Sequence, residues 1–103
     1  MITRVLQKVC DTEYVSDMIH DVQCETFQVL PVESCYAINW RFYKYFFEEE
    51  FLNETMERLN ESIIAHVWNK ISSKITLSLD SNVAYIKLAK KFCPKVVQAS
   101  KFF

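Results

Sequence analysis

The chain has 103 residues and a formal net charge of −1; 50% of its residues are hydrophobic and 15% are aromatic. This length allows one small domain, and so apolar a composition argues against an intrinsically disordered chain. Nucleic acid is a poor partner for it, because phosphate binding requires clustered cationic charge.

The first third of the chain predicts one amphipathic helix and two short strands. Apolar residues recur at one-face helical spacing in residues 2–9. Residues 11–25 are polar and loop-like, with a turn of helix at 14–19. Residues 27–30 alternate between apolar and polar side chains, and residues 35–38 form a short apolar run. We predict a strand in each of these two segments.

An aromatic stretch follows and predicts a helix. Asn39 is of a type that caps helices, and the helix that it begins ends at Glu48–Glu50. We interpret the aromatic residues as core packing rather than a ligand platform, and the glutamates as a solvated face rather than an acid–base pair. A second helix carries Leu52, Met56 and Leu59 on one face. The aromatic residues are Trp40, Phe42, Tyr43, Phe46 and Phe47.

The last third predicts a buried strand and one helix. Residues 63–68 are apolar and β-branched at their start, which is typical of a short buried strand. Asp80 or Ser81 caps the helix, and Pro94 ends it. Residues 95–103 show no clear pattern. The predicted apolar face of the helix consists of Tyr85, Leu88, Ala89 and Phe92.

The side chains alone offer little for catalysis. His20 and His66 are the only histidines and no glycine is present, so we predict neither a nucleophilic triad nor a glycine-rich phosphate loop. We identify no catalytic residue in this chain. The four cysteines lack the paired spacing of zinc sites, which leaves disulfides or buried thiols as alternatives. They are Cys10, Cys24, Cys35 and Cys93.

The segment His66–Lys70 joins an imidazole, an indole, an amide and an ammonium group at the end of the predicted strand at 63–68. Such groups can emerge from a core toward a cleft and bind a ligand. The pattern alone favours another interpretation, a hydrogen-bonded core histidine followed by an exposed Asn-Lys turn.

Two features of the sequence give opposite indications of whether this chain enters the secretory pathway. Asn53 and Asn60 each begin an N-glycosylation sequon, which matters only in the secretory lumen. Met1–Arg4 lacks the basic and apolar blocks of a signal peptide, and no stretch reaches the roughly 18 to 20 apolar residues of a membrane span. We expect no membrane span here, and no entry into that pathway by this chain alone.

Several motifs, taken in order, resemble the C-terminal conserved region of the α1,4-glycosyltransferases, a family that includes lactosylceramide 4-α-galactosyltransferases and insect α1,4-N-acetylgalactosaminyltransferases. The most specific motif is His66–Lys70, at its distance before Cys93–Pro94. The resemblance covers residues 1–94, and residues 95–103 are expected to be a tail. The other similar positions are residues 2–6, Val29–Pro31, Glu33, Tyr36, Ile38, Trp40 and Tyr45–Phe46.

The resemblance implies an α/β fold, the helix-rich C-terminal part of a GT-A glycosyltransferase with short strands, incomplete on its own. It implies a hexosyltransferase that moves galactose or N-acetylgalactosamine from a UDP-sugar to a glycosphingolipid on the lumenal side of the Golgi membrane. It also implies Mn²⁺, which an upstream Asp-x-Asp motif holds against the diphosphate. Because this chain has no Asp-x-Asp, we expect a fragment that is inactive without an N-terminal catalytic half.

The resemblance also assigns roles to individual residues. It implies that His66 is a metal ligand, that Asn69 and Lys70 lie near the diphosphate, and that Trp68 lines the donor pocket.

The cysteines resemble those of the family in part. Cys10 and Cys24 match a pair on either side of a variable loop, which implies a disulfide between them in an oxidising lumen. Cys93 also matches, with a partner expected in the missing part, whereas Cys35 does not match.

Two alternatives to an enzyme fragment stay open. The chain could be a non-catalytic remnant that acts only as a structural or partner-binding module. It could also be a small secreted binding domain stapled by cysteines, which would need the signal peptide that Met1–Arg4 lacks.

Overall fold

A computed structural model describes residues 2–19 and 29–101 of the chain. It divides into two compact units, Met1–Val32 and Glu33–Phe103. Within the described ranges the secondary structure is helical and no β-strand is present. The helix-rich expectation is therefore confirmed, but the expected short strands are not found.

The first unit contains helix α1 (Ile2–Val9) and helix α2 (Val15–Met18), where the sequence predicts a helix and a helical turn. In the part of this unit that the structure describes, Cys10 and Met18 are buried together, with Leu6 and Val29 packed against them. The rest of the apolar face of α1 is exposed. The predicted strand at 27–30 is wrong for Val29 and Leu30, which have no regular structure; residues 27 and 28 lie outside the described ranges.

Helix α3 (Glu33–Tyr36) stands where the sequence predicted a strand at 35–38, so that prediction is wrong. A short apolar run does not distinguish a strand from a buried helix by periodicity alone. The acidic side chain of Glu33 lies in the first turn, where it favours a helix.

The aromatic segment forms a 3-10 helix at Trp40–Phe46, followed by a second 3-10 turn at Glu49–Phe51. The predicted cap is present, because the Asn39 side chain accepts a hydrogen bond of 3.0 Å from the Arg41 amide. Phe42 has non-helical angles and kinks the helix. Helix α4 (Leu52–Arg58) follows where the second amphipathic helix was predicted.

The segment 63–68 is neither a strand nor buried, which corrects the prediction. Ile63 and Ile64 are 68% and 55% exposed. Their amide groups both donate to the Ser34 carbonyl, at 2.8 and 3.2 Å, so α3 holds this segment in place of a neighbouring strand. Helix α5 (Asn69–Ser72) begins directly afterwards.

Helix α6 (Ala84–Phe92) and helix α7 (Pro94–Ala99) end the described chain. Neither Asp80 nor Ser81 caps α6, which begins after Val83 without a side-chain cap. Pro94 separates the two helices, and the patternless tail turns out to be helical at its start. The missing N–H and fixed φ of proline suit the first position of a helix, so the residue that closes one helix opens the next.

The core of the second unit forms around Phe46, Ile38 and Ala84, each at most 1% exposed. A neighbouring cluster contains Leu77, Val83 and Ile86. The face of α6 is therefore partly mispredicted: Ala84 and Ile86 are buried, Tyr85, Leu88 and Ala89 are half-buried, and Phe92 is 67% exposed. In the described ranges, no helix combines the length and apolar character that a membrane span requires.

Thr55 is fully buried on α4, and its hydroxyl donates to the Tyr45 carbonyl at 3.1 Å. We expect Thr55→Val to lower the free energy of unfolding by about 1–2 kcal/mol, because it leaves that buried carbonyl without the hydroxyl donor. Urea denaturation measures the change. Thr55→Ser, which keeps the hydroxyl, should lose less; equal stability of Thr55→Val and the parent chain would contradict the structural role of this bond.

Candidate functional site

The segment from Ser62 to Trp68 is attached to the segment from Glu33 to Ile38 at both ends. At one end the Ser62 hydroxyl donates to the Glu33 carbonyl at 2.9 Å. At the other end the Trp68 indole N–H donates to the Ile38 carbonyl at 2.9 Å. The two segments predicted as strands therefore do lie side by side, although they are not joined by a ladder of strand hydrogen bonds.

Trp68 has a left-handed backbone, with φ 56° and ψ 48°, at the point where α5 begins. A non-glycine residue in this region carries about 1–2 kcal/mol of strain, which persists only where surrounding contacts impose it. Here the contacts include the indole bond to Ile38 and two amides, of Ile71 and Ser72, that donate to the Trp68 carbonyl. The buried Ser72 hydroxyl also donates to the Val67 carbonyl at 2.8 Å. The turn is thus fixed from both sides.

Three aromatic side chains meet at this turn. The ring centroids of His66 and Trp68 lie 4.3 Å apart, and Tyr36, at the end of α3, lies 5.3 Å from His66 and 5.6 Å from Trp68. Tyr36 and His66 are exposed, whereas Trp68 is half-buried beneath them. We call this set the aromatic cluster.

The His66 ring is oriented by a hydrogen bond from the Trp68 amide to His66 Nδ1, at 3.2 Å. An Nδ1 atom that accepts this bond carries no proton, so in the neutral ring the proton lies on Nε2. That tautomer offers a donor to solvent, and it does not fit a metal ligand, because ligation through Nε2 would move the proton to Nδ1. No group of three metal-ligating side chains occurs in residues 2–19 and 29–101. Metal ligation by His66 stays a prediction that requires this bond to break.

Asn69 and Lys70 follow Trp68 in the first turn of α5, and both are exposed. Asn69 lines a cavity of about 140 Å³ together with Val67, Ser72 and Tyr85. Lys70 forms no salt bridge with any residue of the described ranges. The turn therefore brings an amide and an unpaired cation to the surface next to the aromatic cluster.

The indole bond of Trp68 has a measurable expected effect. Trp68→Phe removes the donor to Ile38 and should lower the free energy of unfolding by about 1–2 kcal/mol. Trp40→Phe is the matched control, because Trp40 is half exposed and its indole N–H donates to no residue within 2–19 and 29–101. If urea denaturation gave the same midpoint shift for both variants, the indole bond would not hold the turn.

A larger apolar groove of about 540 Å³ runs between α4 and α6. Met56, Leu59, Tyr85 and Leu88 contribute to its lining, and the exposed Phe92 lies at its edge. Val67 is the one residue of His66–Lys70 among those that line it; His66, Trp68, Asn69 and Lys70 do not. The groove explains why the face of α6 predicted to be core is only half-buried.

The two sequons are both accessible at their asparagines, since Asn53 and Asn60 are exposed. Their hydroxyl residues also serve the fold, because Thr55 binds the Tyr45 carbonyl and Ser62 binds the Glu33 carbonyl. These hydrogen bonds explain why hydroxyl residues occupy the two positions, whether or not a glycan is attached. Glycosylation of Asn53 and Asn60 stays a prediction.

Cys10 is disulfide-bonded. Cys24, its expected partner, lies outside the described residues, as does His20. Cys35 and Cys93 are free thiols, half-buried and exposed respectively. The pairing of Cys10 with Cys24 stays a prediction.

The sequence predicted that His66 and Trp68 lie together, but it did not predict that Tyr36 packs beside them. Tyr36 was interpreted as one residue of a short strand, and its approach to His66 depends on α3, which the sequence did not predict. The sequence did single out Tyr36 in one way, because it is one of the positions that resemble the glycosyltransferase region.

Comparison with known proteins identifies relatives over the whole chain. It is 30% identical over 103 residues to the lactosylceramide 4-alpha-galactosyltransferase of Mus musculus, and 29% identical to those of Pongo pygmaeus and Rattus norvegicus. Each match covers 100% of this chain but only 28%, 46% and 28% of the respective relative. The chain thus spans less than half the length of these relatives. No solved structure matches it.

The family profile described as "Alpha 1,4-glycosyltransferase conserved region" matches residues 1–100, which include the turn at Trp68, the aromatic cluster and Lys70. The chain therefore belongs to the alpha 1,4-glycosyltransferase conserved-region family.

Proposed function

We propose that this chain is the C-terminal part of a hexosyltransferase that transfers galactose or N-acetylgalactosamine from a UDP-sugar to a glycosphingolipid in the lumen of the Golgi. The family match over residues 1–100 and the relatives named as lactosylceramide 4-alpha-galactosyltransferases support a transferase that acts on glycolipid. The exposed sequons at Asn53 and Asn60 are compatible with a lumenal location.

The observation that carries the proposal is the strained Trp68 backbone, fixed by hydrogen bonds at an exposed turn. Backbone strain is retained at ligand sites because it presents side chains in a set geometry. Here it presents Asn69 and Lys70 at the surface, and we assign them to the donor. Lys70 supplies a point charge for the diphosphate, and the Asn69 amide supplies a hydrogen bond.

The family resemblance adds Mn²⁺, which would neutralise charge on the UDP leaving group. Residues 2–19 and 29–101 contain no group of three metal-ligating side chains, so His66 would complete a metal shell only with ligands from elsewhere and after its Nδ1 bond broke. The metal site therefore belongs, in this proposal, to residues preceding the matched region in longer relatives.

The donor role of Lys70 is tested by titrating the chain with UDP-galactose while recording amide ¹H–¹⁵N spectra. We expect shifts centred on Asn69 and Lys70, and Lys70→Met should weaken binding by about threefold to tenfold, since one exposed charge contributes about 1 kcal/mol. Lys87→Met is the control, because Lys87 is an exposed lysine on α6. Equal weakening by both variants, or shifts confined to other segments, would count against the assignment.

A further inference from the structure

The aromatic cluster forms an open surface of a kind that core packing does not explain. Tyr36 is 46% exposed, and His66 beside it is also exposed. Aromatic rings whose centroids lie 4.3–5.6 Å apart, as these do, are usually buried in a core. The surface lies on a turn whose backbone is left-handed at Trp68. The fold thus holds Trp68 in a strained position while leaving two of the three rings open to solvent.

The chemistry of this surface suits a sugar. A pyranose has a face of C–H groups that carries slight positive charge, and the negative face of an aromatic ring attracts it. Hydroxyl groups at the edge of the pyranose need polar partners in the same plane. The Tyr36 hydroxyl and the His66 Nε2–H are polar groups carried by the exposed rings.

A planar nucleotide base fits the same surface less well. Stacking of a base is strongest on one flat ring or between two parallel rings. The three rings are tilted by 33–55° to one another, so no two of them form a parallel pair. A puckered ring with hydroxyls on its rim can contact rings tilted to one another more closely than a flat base can.

We propose that Tyr36, His66 and Trp68 form a sugar-binding surface for the terminal galactoside of the acceptor, with His66 donating from Nε2 to a sugar hydroxyl. This rests on the proposed function and extends it, because it adds Tyr36 to the site and gives His66 a hydrogen-bonding role. Donor binding at Asn69 and Lys70 then places the two substrates on adjacent parts of one turn.

The test uses the chain with Trp40→Phe, which leaves Trp68 as the single tryptophan. Lactose is titrated while Trp68 fluorescence is recorded, and circular dichroism checks that every variant is folded. We expect a saturable change in emission with a millimolar Kd. Tyr36→Leu and His66→Ala should each raise that Kd by about fivefold to tenfold, as expected for loss of one stacking or hydrogen-bonding contact.

Two variants serve as controls. His66→Gln places an amide N–H close to the position of Nε2 and should keep most of the affinity. Phe42→Leu removes an aromatic ring that is 47% exposed, as Tyr36 is, but that lies outside the cluster and contacts Tyr45. It should leave the Kd unchanged.

Three results would overturn the proposal. A folded chain that gives no saturable response to lactose has no sugar site here. A response that Tyr36→Leu and His66→Ala leave unchanged places the sugar elsewhere. A response to UDP that these two variants weaken, without one to lactose, makes the surface a nucleotide site. Each of these results leaves the transferase proposal standing, because sugar transfer is measured independently.

Discussion

Phe46→Ala is expected to lower the free energy of unfolding of the unit Glu33–Phe103 by about 3–5 kcal/mol. Phe46 is fully buried and lies at the centre of a cluster with Ile38 and Ala84. Because residues of α4 and α6 both pack in this cluster, the alanine would leave a cavity between these helices. A unit of this size has little stability in reserve, so the variant should be largely unfolded at room temperature.

Phe42→Ala is the matched control for this change. Both residues belong to the same 3-10 helix, but Phe42 is 47% exposed. Its replacement by alanine should lower the free energy of unfolding by less than about 1 kcal/mol. Urea denaturation followed by circular dichroism gives both values. If the two variants had similar midpoints, the core would not be centred on Phe46.

Loss of the Cys10 disulfide is expected to destabilise the unit Met1–Val32 by about 3 kcal/mol. Cys10 is disulfide-bonded, and its side chain is 1% exposed in a cluster where Met18 is the other buried residue among residues 2–19 and 29–32. With the predicted partner Cys24, the bond closes a loop of about 15 residues, which in the chain-entropy model stabilises by about 3 kcal/mol.

Cys10→Ser is the variant to measure, and Cys35→Ser is its control, because Cys35 is a half-buried free thiol. We expect Cys10→Ser to lose the protection of amide hydrogens in α2, and Cys35→Ser to retain it. Peptide mapping without reductant identifies the partner. A bond from Cys10 to a cysteine other than Cys24, or equal exchange in both variants, would contradict the expectation.

The helices were predictable wherever local signals decide them. The face of α1, the Asn39 cap and the amphipathic pattern of α4 depend on residues within one or two turns. The segment 63–68 shows the opposite case. Its β-branched residues favour a strand, but a strand needs a partner, and here the partner segment is the helix α3. Short apolar runs carry no information about that partner.

The candidate site was predictable in its residues but not in its geometry. His66, Trp68, Asn69 and Lys70 were singled out from the sequence, whereas the tilt of the rings and the bond from the Trp68 amide to His66 Nδ1 follow from the left-handed turn. Tryptophan is not a residue type that favours a left-handed backbone, so no local rule would place that turn at Trp68. That bond also bears on the predicted metal role of His66, because ligation would require it to break.

The most direct measurement is sugar transfer by a chimera in which this chain replaces the matched region of the mouse lactosylceramide 4-alpha-galactosyltransferase. The chimera is purified, shown to be folded, and supplied with lactosylceramide and either UDP-galactose or UDP-N-acetylgalactosamine. We expect transfer of one of the two sugars, reduced at least about tenfold by His66→Ala and little by Lys87→Met. A folded chimera that transfers neither sugar would contradict the transferase account and favour a non-catalytic remnant.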